Sequence, residues 1–317
     1  MKTVRLGYIS NDGATQIRAL MWQPDSVKVA PRGIIQIVHG MAEHIERYAE
    51  FAEYLVGLGY VVCAEDHVGH GKSVGSAEDL GHIPLDGGAD ILVEDVHALR
   101  QLVASRFSSV TPYVMFGHSM GSFIVRVYIT RHGQGLSAAV LCGTGQQAPM
   151  LSWLGNKVAR LIASSKGESY RSTFVDNLGA GGFGKKIADA RTPLDWLSTD
   201  PAVVDAYIAD PECGQMFSVG AYAALTSLTS EAVKPASASL VPRDLPLLFI
   251  AGSQDPVGEC GKGVQAAVQQ YRQAGVRTVD CVLYEGMRHE ILNEPDRVRV
   301  FEETARWIGS QTGSNAE

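Results

Sequence analysis

A serine hydroxyl becomes a nucleophile when a base takes its proton and a carboxylate orients that base. This chain offers one of each in a telling order. Gly117-His118-Ser119-Met120-Gly121 fits the G-x-S-x-G nucleophile elbow. Strand-like Tyr113–Phe116 precedes it and helical Phe123–Arg131 follows, the strand–turn–helix context that the motif requires. A serine on so tight a turn needs neighbours two residues away that lack side chains, and Gly117 and Gly121 meet that need. The turn projects the Ser119 hydroxyl out of the sheet and aims the Met120 backbone N–H into the same space. The competing account is an incidental serine in a glycine-rich turn, and the flanking strand and helix argue against it.

In this layout the partners follow in the order Ser, acid, His, each just after a strand. Asp255 stands in Gly252-Ser-Gln-Asp-Pro256 behind the run Leu247–Ala251, and His289 stands in Glu285-Gly-Met-Arg-His-Glu290 behind Val279–Tyr284. A lone surface histidine is common, but a histidine in this order and at this strand end reads as the base. The third requirement is a pair of donors for the oxyanion. Gly33–Val38 runs into His39-Gly40-Met41-Ala42-Glu43-His44, a turn that would present the Met41 N–H opposite the Met120 N–H. His39, His44, His67 and His70 could be mistaken for metal ligands. No cysteine or carboxylate cluster completes a set beside them in the sequence, so no metal and no cofactor are expected, and the histidines read as braces of glycine-rich loops.

Stepping outward from these residues, short runs apolar on consecutive positions suit strands of a parallel sheet covered on both faces. They are Gly33–Val38, Tyr60–Ala64, Tyr113–Phe116, Ala138–Cys142, Leu247–Ala251 and Val279–Tyr284. Val4–Ser10 and Gln16–Gln23 flank Asn-Asp-Gly, a hairpin signal, and bring the strands to eight. Helical patterns cover Tyr48–Leu58 (ending at Gly59), Ala89–Arg106, Glu259–Gln273 and Pro295–Ile308. Between Gly145 and Pro242 no convincing strand occurs. Helix-like segments stand near Met150–Ser164, Pro201–Ile208 and Met216–Leu228, with a glycine-rich stretch at Gly179–Gly184. A loop of that length without structure would be suspect. The division expected is therefore a core of residues 1–145 and 243–317, with a helical cap at 146–242.

The composition excludes several classes. Of 317 residues 45% are hydrophobic, enough for one substantial core, and the net charge of -7 gives no footprint for nucleic acid or anionic membrane. No signal peptide and no spanning helix are apparent, and the only low-complexity tract is the polar tail Ser310–Glu317. Five cysteines form no C-x-x-C pair, and Cys63, Cys142 and Cys281 sit in strand-like runs, so a reduced, cytoplasmic protein is expected.

Three motifs together resemble the monoacylglycerol lipase and lysophospholipase branch of the α/β-hydrolases, of bacterial type. They are His39-Gly-Met-Ala-Glu-His44 with Arg47-Tyr48, Asp66-His-Val-Gly-His-Gly-Lys-Ser73, and Gly117-His-Ser-Met-Gly121. The resemblance implies an α/β-hydrolase fold: a mostly parallel eight-stranded sheet with helices on both faces and a helical cap insertion. It implies hydrolysis of single-chain lipid esters without a cofactor, and Met41 and Met120 as the oxyanion donors. It also implies that Glu43 and Arg47 belong to a polar network near the glycerol end of the site, where an ion pair bracing the loop is the competing role. Trp153, Leu154, Phe217 and Val219 are candidate acyl-channel residues, with plain helix packing as the alternative. The stretches Trp196–Asp200 and Asp210–Gly214 depart from the animal enzymes, which leaves acyl preference open.

The expected reaction is two-step ester hydrolysis through an acyl-enzyme on Ser119. The expected partner is a small ester or single-chain lipid, with transient membrane contact through the cap, by a monomer or homodimer. The rival is a short-acyl or aromatic-ester carboxylesterase, such as a cinnamoyl esterase. A peptidase, or a catalytically silent binding protein of the same fold, stands further off.

Overall fold

Residues that are apolar at every position rather than at alternate ones bury both faces of a strand, and here they do so on both sides of one sheet. The computed structural model describes residues 1–25 and 30–313; the last four residues of the polar tail lie outside them. Eight strands form: β1 (Lys2–Ile9), β2 (Gln16–Gln23), β3 (Ile34–Val38), β4 (Val61–Glu65), β5 (Tyr113–His118), β6 (Ala138–Cys142), β7 (Leu247–Gly252) and β8 (Val279–Tyr284). Their order is β1-β2-β4-β3-β5-β6-β7-β8. The β1–β2 and β2–β4 pairings are antiparallel and all others are parallel.

Ten helices complete the described chain: α1 (Ala49–Gly57), α2 (Gly88–Ala104), α3 (Met120–His132), α4 (Pro149–Lys166), α5 (Thr173–Leu178), α6 (Pro201–Ala209), α7 (Val219–Ala232), α8 (Pro235–Ala238), α9 (Lys262–Gln273) and α10 (Arg297–Gln311). Alternate residues of β4 show how they use the sheet. Val61 and Cys63 join a cluster with Leu92 and Leu99 of α2 and Phe123 of α3, whereas Val62 and Ala64 join one with Phe51 of α1 and Phe301 of α10. The one polar side chain inside β3, Gln36, is satisfied on both ends: it donates to Val96 O at 2.9 Å and accepts from the Tyr113 hydroxyl at 2.6 Å. A buried amide without those partners would cost about 1–3 kcal/mol.

Every strand lies outside 146–242, and that segment is helical apart from a single bridge, Arg171 to Ser218. Part of it has a small cluster of its own, Trp196, Leu197, Tyr207 and Cys213 with Phe183 and Leu194, and the rest shares the main core. Phe217, Val219, Ala221, Tyr222 and Leu228 belong to the same cluster as β3, α2 and α3. Helix α4 lies on α7 through small side chains, with Ser152, Ala159 and Ala163 buried, while Met150, Leu151, Trp153, Leu154 and Leu161 point outward. Arg126, wholly buried on α3, ties both roots of the segment down: it donates to Gly145 O at 2.7 Å and to Ala232 O at 2.9 Å.

Candidate active site

Ser119 sits between β5 and α3 with φ 52° and ψ -120°. A non-glycine residue in that region is strained, and the surroundings must hold it there. Its N–H donates to Cys142 O on β6 at 2.9 Å, which fixes the turn from the neighbouring strand. The flanking glycines are sterically required: a Cβ on Gly117 would stand 2.5 Å from Gly121 O, and one on Gly121 would stand 2.0 Å from Val38 O. The elbow is thus wedged between β3 and its own helix.

His289 and Asp255 arrive from the ends of β8 and β7. The His289 Nδ1 lies 2.9 Å from Asp255 Oδ2, and both residues are almost wholly buried. The opposite ring nitrogen, Nε2, is buried and has no hydrogen-bond partner among the described residues. Met120 opens α3, where the first N–H groups lack intrahelical acceptors. Met41 lies in the turn after β3, and neither its N–H nor that of Met120 is taken up by an acceptor among the described residues. Ala42 beside it holds φ 52°, and its carbonyl accepts from Gly214 N at 2.9 Å and the Tyr207 hydroxyl at 2.7 Å.

Glu43 and Arg47 are both brought to the site, as internal braces. Glu43 Oε1 accepts from Gly40 N at 2.6 Å and from the Tyr48 hydroxyl at 2.7 Å, and lies 3.3 Å from His118 Nδ1. Arg47 donates to Glu43 Oε2 at 2.7 Å and forks onto Glu290 at 2.7 and 2.6 Å, with its guanidinium over the Tyr207 ring. Burial alone would raise the Glu43 carboxyl, but the His118 hydrogen bond and the Arg47 charge hold it well below the usual range. Burial would lower the His118 imidazole, and Glu43 instead raises it above its usual value. Both Glu43 oxygens and both terminal nitrogens of Arg47 are committed, which favours the bracing role over direct substrate contact.

Of the four candidate acyl-channel residues, none forms a channel wall in this conformation. Phe217 and Val219 have no accessible surface, since Phe217 packs edge-on against His70 and Tyr222. Trp153 and Leu154 stand on the outward face of α4, more than half exposed. Residues that the sequence did not single out lie closer to the chemistry. The Trp196 ring lies tilted against the His289 ring, centroids 5.0 Å apart, and its carbonyl accepts the His289 N–H at 3.3 Å. Leu197 O takes the Glu290 N–H at 2.7 Å, and Arg288 donates to Asp195 O and Ser198 O. Glu294 receives Arg288 N and Thr199 N. Only the acid directly after His289 hinted at this in the sequence; the rest joins positions about ninety residues apart.

The loops behind the site carry three clustered histidines, two stacked and the third edge-on to them. His39 and His67 rings lie 4.0 Å apart and His70 lies 5.2 Å from His39. Burial keeps His67 and His70 neutral, each lowered to about 3, and His39 well below its usual value. No described helix is long and apolar enough to cross a membrane, and the five cysteines are free.

Comparison with known proteins decides the family. Residues 29–296 match the model described as Serine aminopeptidase, S33. The chain belongs to that family. Among relatives of this S33 chain, the monoacylglycerol lipase of Mycolicibacterium smegmatis is 31% identical over 307 residues, covering 94% of each chain. The Homo sapiens monoglyceride lipase is 24% identical over 98% of this chain and 92% of its own. Among solved structures, a highly thermostable carboxyl esterase from Bacillus coagulans, in complex with glycerol, superposes with a TM-score of 0.90. It is 36% identical and covers 98% of this chain and 99% of its own. The fold of this S33 member is the α/β-hydrolase fold, as its residues led one to expect.

Proposed function

We propose that this S33-family serine hydrolase cleaves esters of single-chain lipids, monoacylglycerols first, through an acyl-enzyme on Ser119. The observation that carries the reading is the buried His289 held by Asp255 with its second nitrogen without a partner among the described residues, in a chain that also holds Ser119 on a strained elbow. His289 takes the Ser119 proton as the oxygen attacks the ester carbonyl. The Met41 and Met120 N–H groups receive the oxyanion, the alcohol departs with the proton returned by His289, and water then releases the acid by the same route. Helix segment 146–242 serves as the cap of a core made of 1–145 and 243–317. The bulky outward face of α4, where Met150, Leu151, Trp153 and Leu154 are exposed together, is the surface we assign to transient contact with lipid.

The similarity to a carboxyl esterase at 36% identity sustains one alternative, a short-acyl or aromatic-ester carboxylesterase. Monoacylglycerols of increasing chain length, lysophospholipid and short aryl esters, assayed side by side, separate the two. An optimum at medium or long acyl chains supports the lipid reading, and an optimum at two to four carbons replaces it with the alternative. Ser119→Ala is expected to lower turnover about 10⁴-fold or more. An alanine variant that kept most of its activity would sink the assignment, and hydrolysis of amino-acid amides would move the protein to the peptidases.

A further inference from the structure

No metal was expected because nothing near His39, His44, His67 or His70 in the sequence completes a ligand set. For His44 the fold supplies what the sequence withholds. The turn after α6 carries Asp210 and Cys213 against it from the far side of the cap, with His44 Nε2 2.9 Å from Asp210 Oδ2. The imidazole nitrogen, a carboxylate oxygen and the Cys213 sulfur all lie within 4.8 Å of one another. His44 and Cys213 are buried and Asp210 is part-exposed, so the cluster has a dry floor and an opening to solvent. Among the described residues the other three histidines gather no such set.

We propose that His44 Nε2, Asp210 and Cys213 form a zinc-type site that joins the loop carrying Met41 to the cap. The donor set of one imidazole, one carboxylate and one thiolate matches zinc chemistry, and a water completes the tetrahedron. A thiolate directs the site toward borderline and soft metals and away from calcium or magnesium. With metal–ligand distances of about 2.0–2.3 Å, tetrahedral ligand atoms stand roughly 3.3–3.8 Å apart. Asp210 therefore withdraws from His44 by about half an ångström as the ion enters. Entry releases one proton from the His44 imidazolium and one from the Cys213 thiol, so the charge of the site is unchanged. Burial pushes the Cys213 thiol above its usual value, Glu43 adding to this and His44 and Arg47 opposing it; Glu46 and Glu212 face the other imidazole nitrogen. That opposite group is the weaker candidate, because Glu46 is already engaged by Arg18 and Lys72.

The bound ion would add a third tie to the two hydrogen bonds that Ala42 O already receives from Tyr207 and Gly214. Its effect is to fasten the Asp210–Gly214 turn to the loop after β3, and this does not depend on which ester the enzyme cleaves. The test uses the full chain at about pH 8, where proton competition is weakened, with the exposed Cys260 replaced by serine. Zinc is titrated against a chromophoric chelator, and cobalt(II) is bound as a spectroscopic substitute. The expected result is one ion per chain, a cobalt–thiolate charge-transfer band, and a Tm raised by zinc and unmoved by magnesium. Cys213→Ala and Asp210→Asn each weaken zinc binding at least tenfold and Cys213→Ala removes the band, while Glu212→Gln changes neither. Failure to take up zinc, a cobalt spectrum without the thiolate band, or equal affinity in Cys213→Ala overturns the proposal. Loss of binding in Glu212→Gln alone overturns it too, since it would move the ligands to the other side of the ring.

Discussion

Neighbouring side chains divide chemistry from bracing. His289 faces Asp255, while Glu290, the next residue, turns to the Arg47 fork; Arg47 also holds Glu43, which pins Gly40 N in the loop that ends in Met41. One guanidinium thereby couples the proposed base to the proposed oxyanion donors. Replacing Arg47 with methionine leaves the buried Glu290 carboxylate without its cation and Glu43 with His118 alone, and breaking comparable buried pairs costs about 3–5 kcal/mol. Urea denaturation of Arg47→Met should show a loss of that size, with turnover reduced as well; an unchanged midpoint would refute the coupling. The residues proposed as serine nucleophile, acid and base were legible in the sequence because each follows a strand at a glycine-marked turn. Glu43 and Arg47 were legible as residues, but the role between them was not, because its deciding partner, Glu290, lies 243 residues from Arg47. The same limit hid Trp196, which reaches His289 only through the packing of the cap.

The loops after β3 and β4 bring their own titration to the fold. His67 and His70 are lowered from 6.5 to about 3 by burial, so the native state refuses protons that the unfolded chain accepts. The sign follows: above about pH 6.5 these groups contribute nothing to the pH dependence, and stability falls as pH drops from 6.5 toward 3. Each pKa unit corresponds to about 1.4 kcal/mol per group. His70→Asn keeps a donor for Val68 O, 3.0 Å away in the native chain, and removes one of these titrations. Its plot of unfolding free energy against pH should be shallower between about pH 6 and 4; an identical slope would show that the histidines do not set the acid limit. Among the elements themselves, six strands could be read from continuous apolar runs and the leading two from the Asn-Asp-Gly hairpin signal between them. The six-residue α5 and four-residue α8 could not, since helices that short depend on caps and tertiary support rather than on a periodic face. Helix α7 begins at Val219 and not at Met216 because Ser218 caps it, its side chain accepting from Ala221 N.

Across the whole molecule, the segment between β6 and β7 is continuous with the core on its inner side and apolar on its outer side. Arg126 is where the two meet, a buried cation spending its donors on Gly145 O, Ala232 O, Gln146 and Tyr271. Arg126→Met keeps the length of the side chain and strands those acceptors, so a loss of about 3 kcal/mol or more is expected. Limited proteolysis should then cut near residues 145 and 232 before it cuts the sheet; a pattern like that of the native chain would refute the anchoring role. Two of its five partners, counting Thr144, are main-chain carbonyls, which any amino acid supplies. An anchor that reads the backbone at both posts asks little of what is strung between them. Because closing a longer loop costs only about 0.6 kcal/mol for each doubling of its length, such a socket can accept inserts of very different sizes and sequences. Lineages sharing this arginine could exchange the insert, and with it their substrate, while inheriting the catalytic sheet untouched.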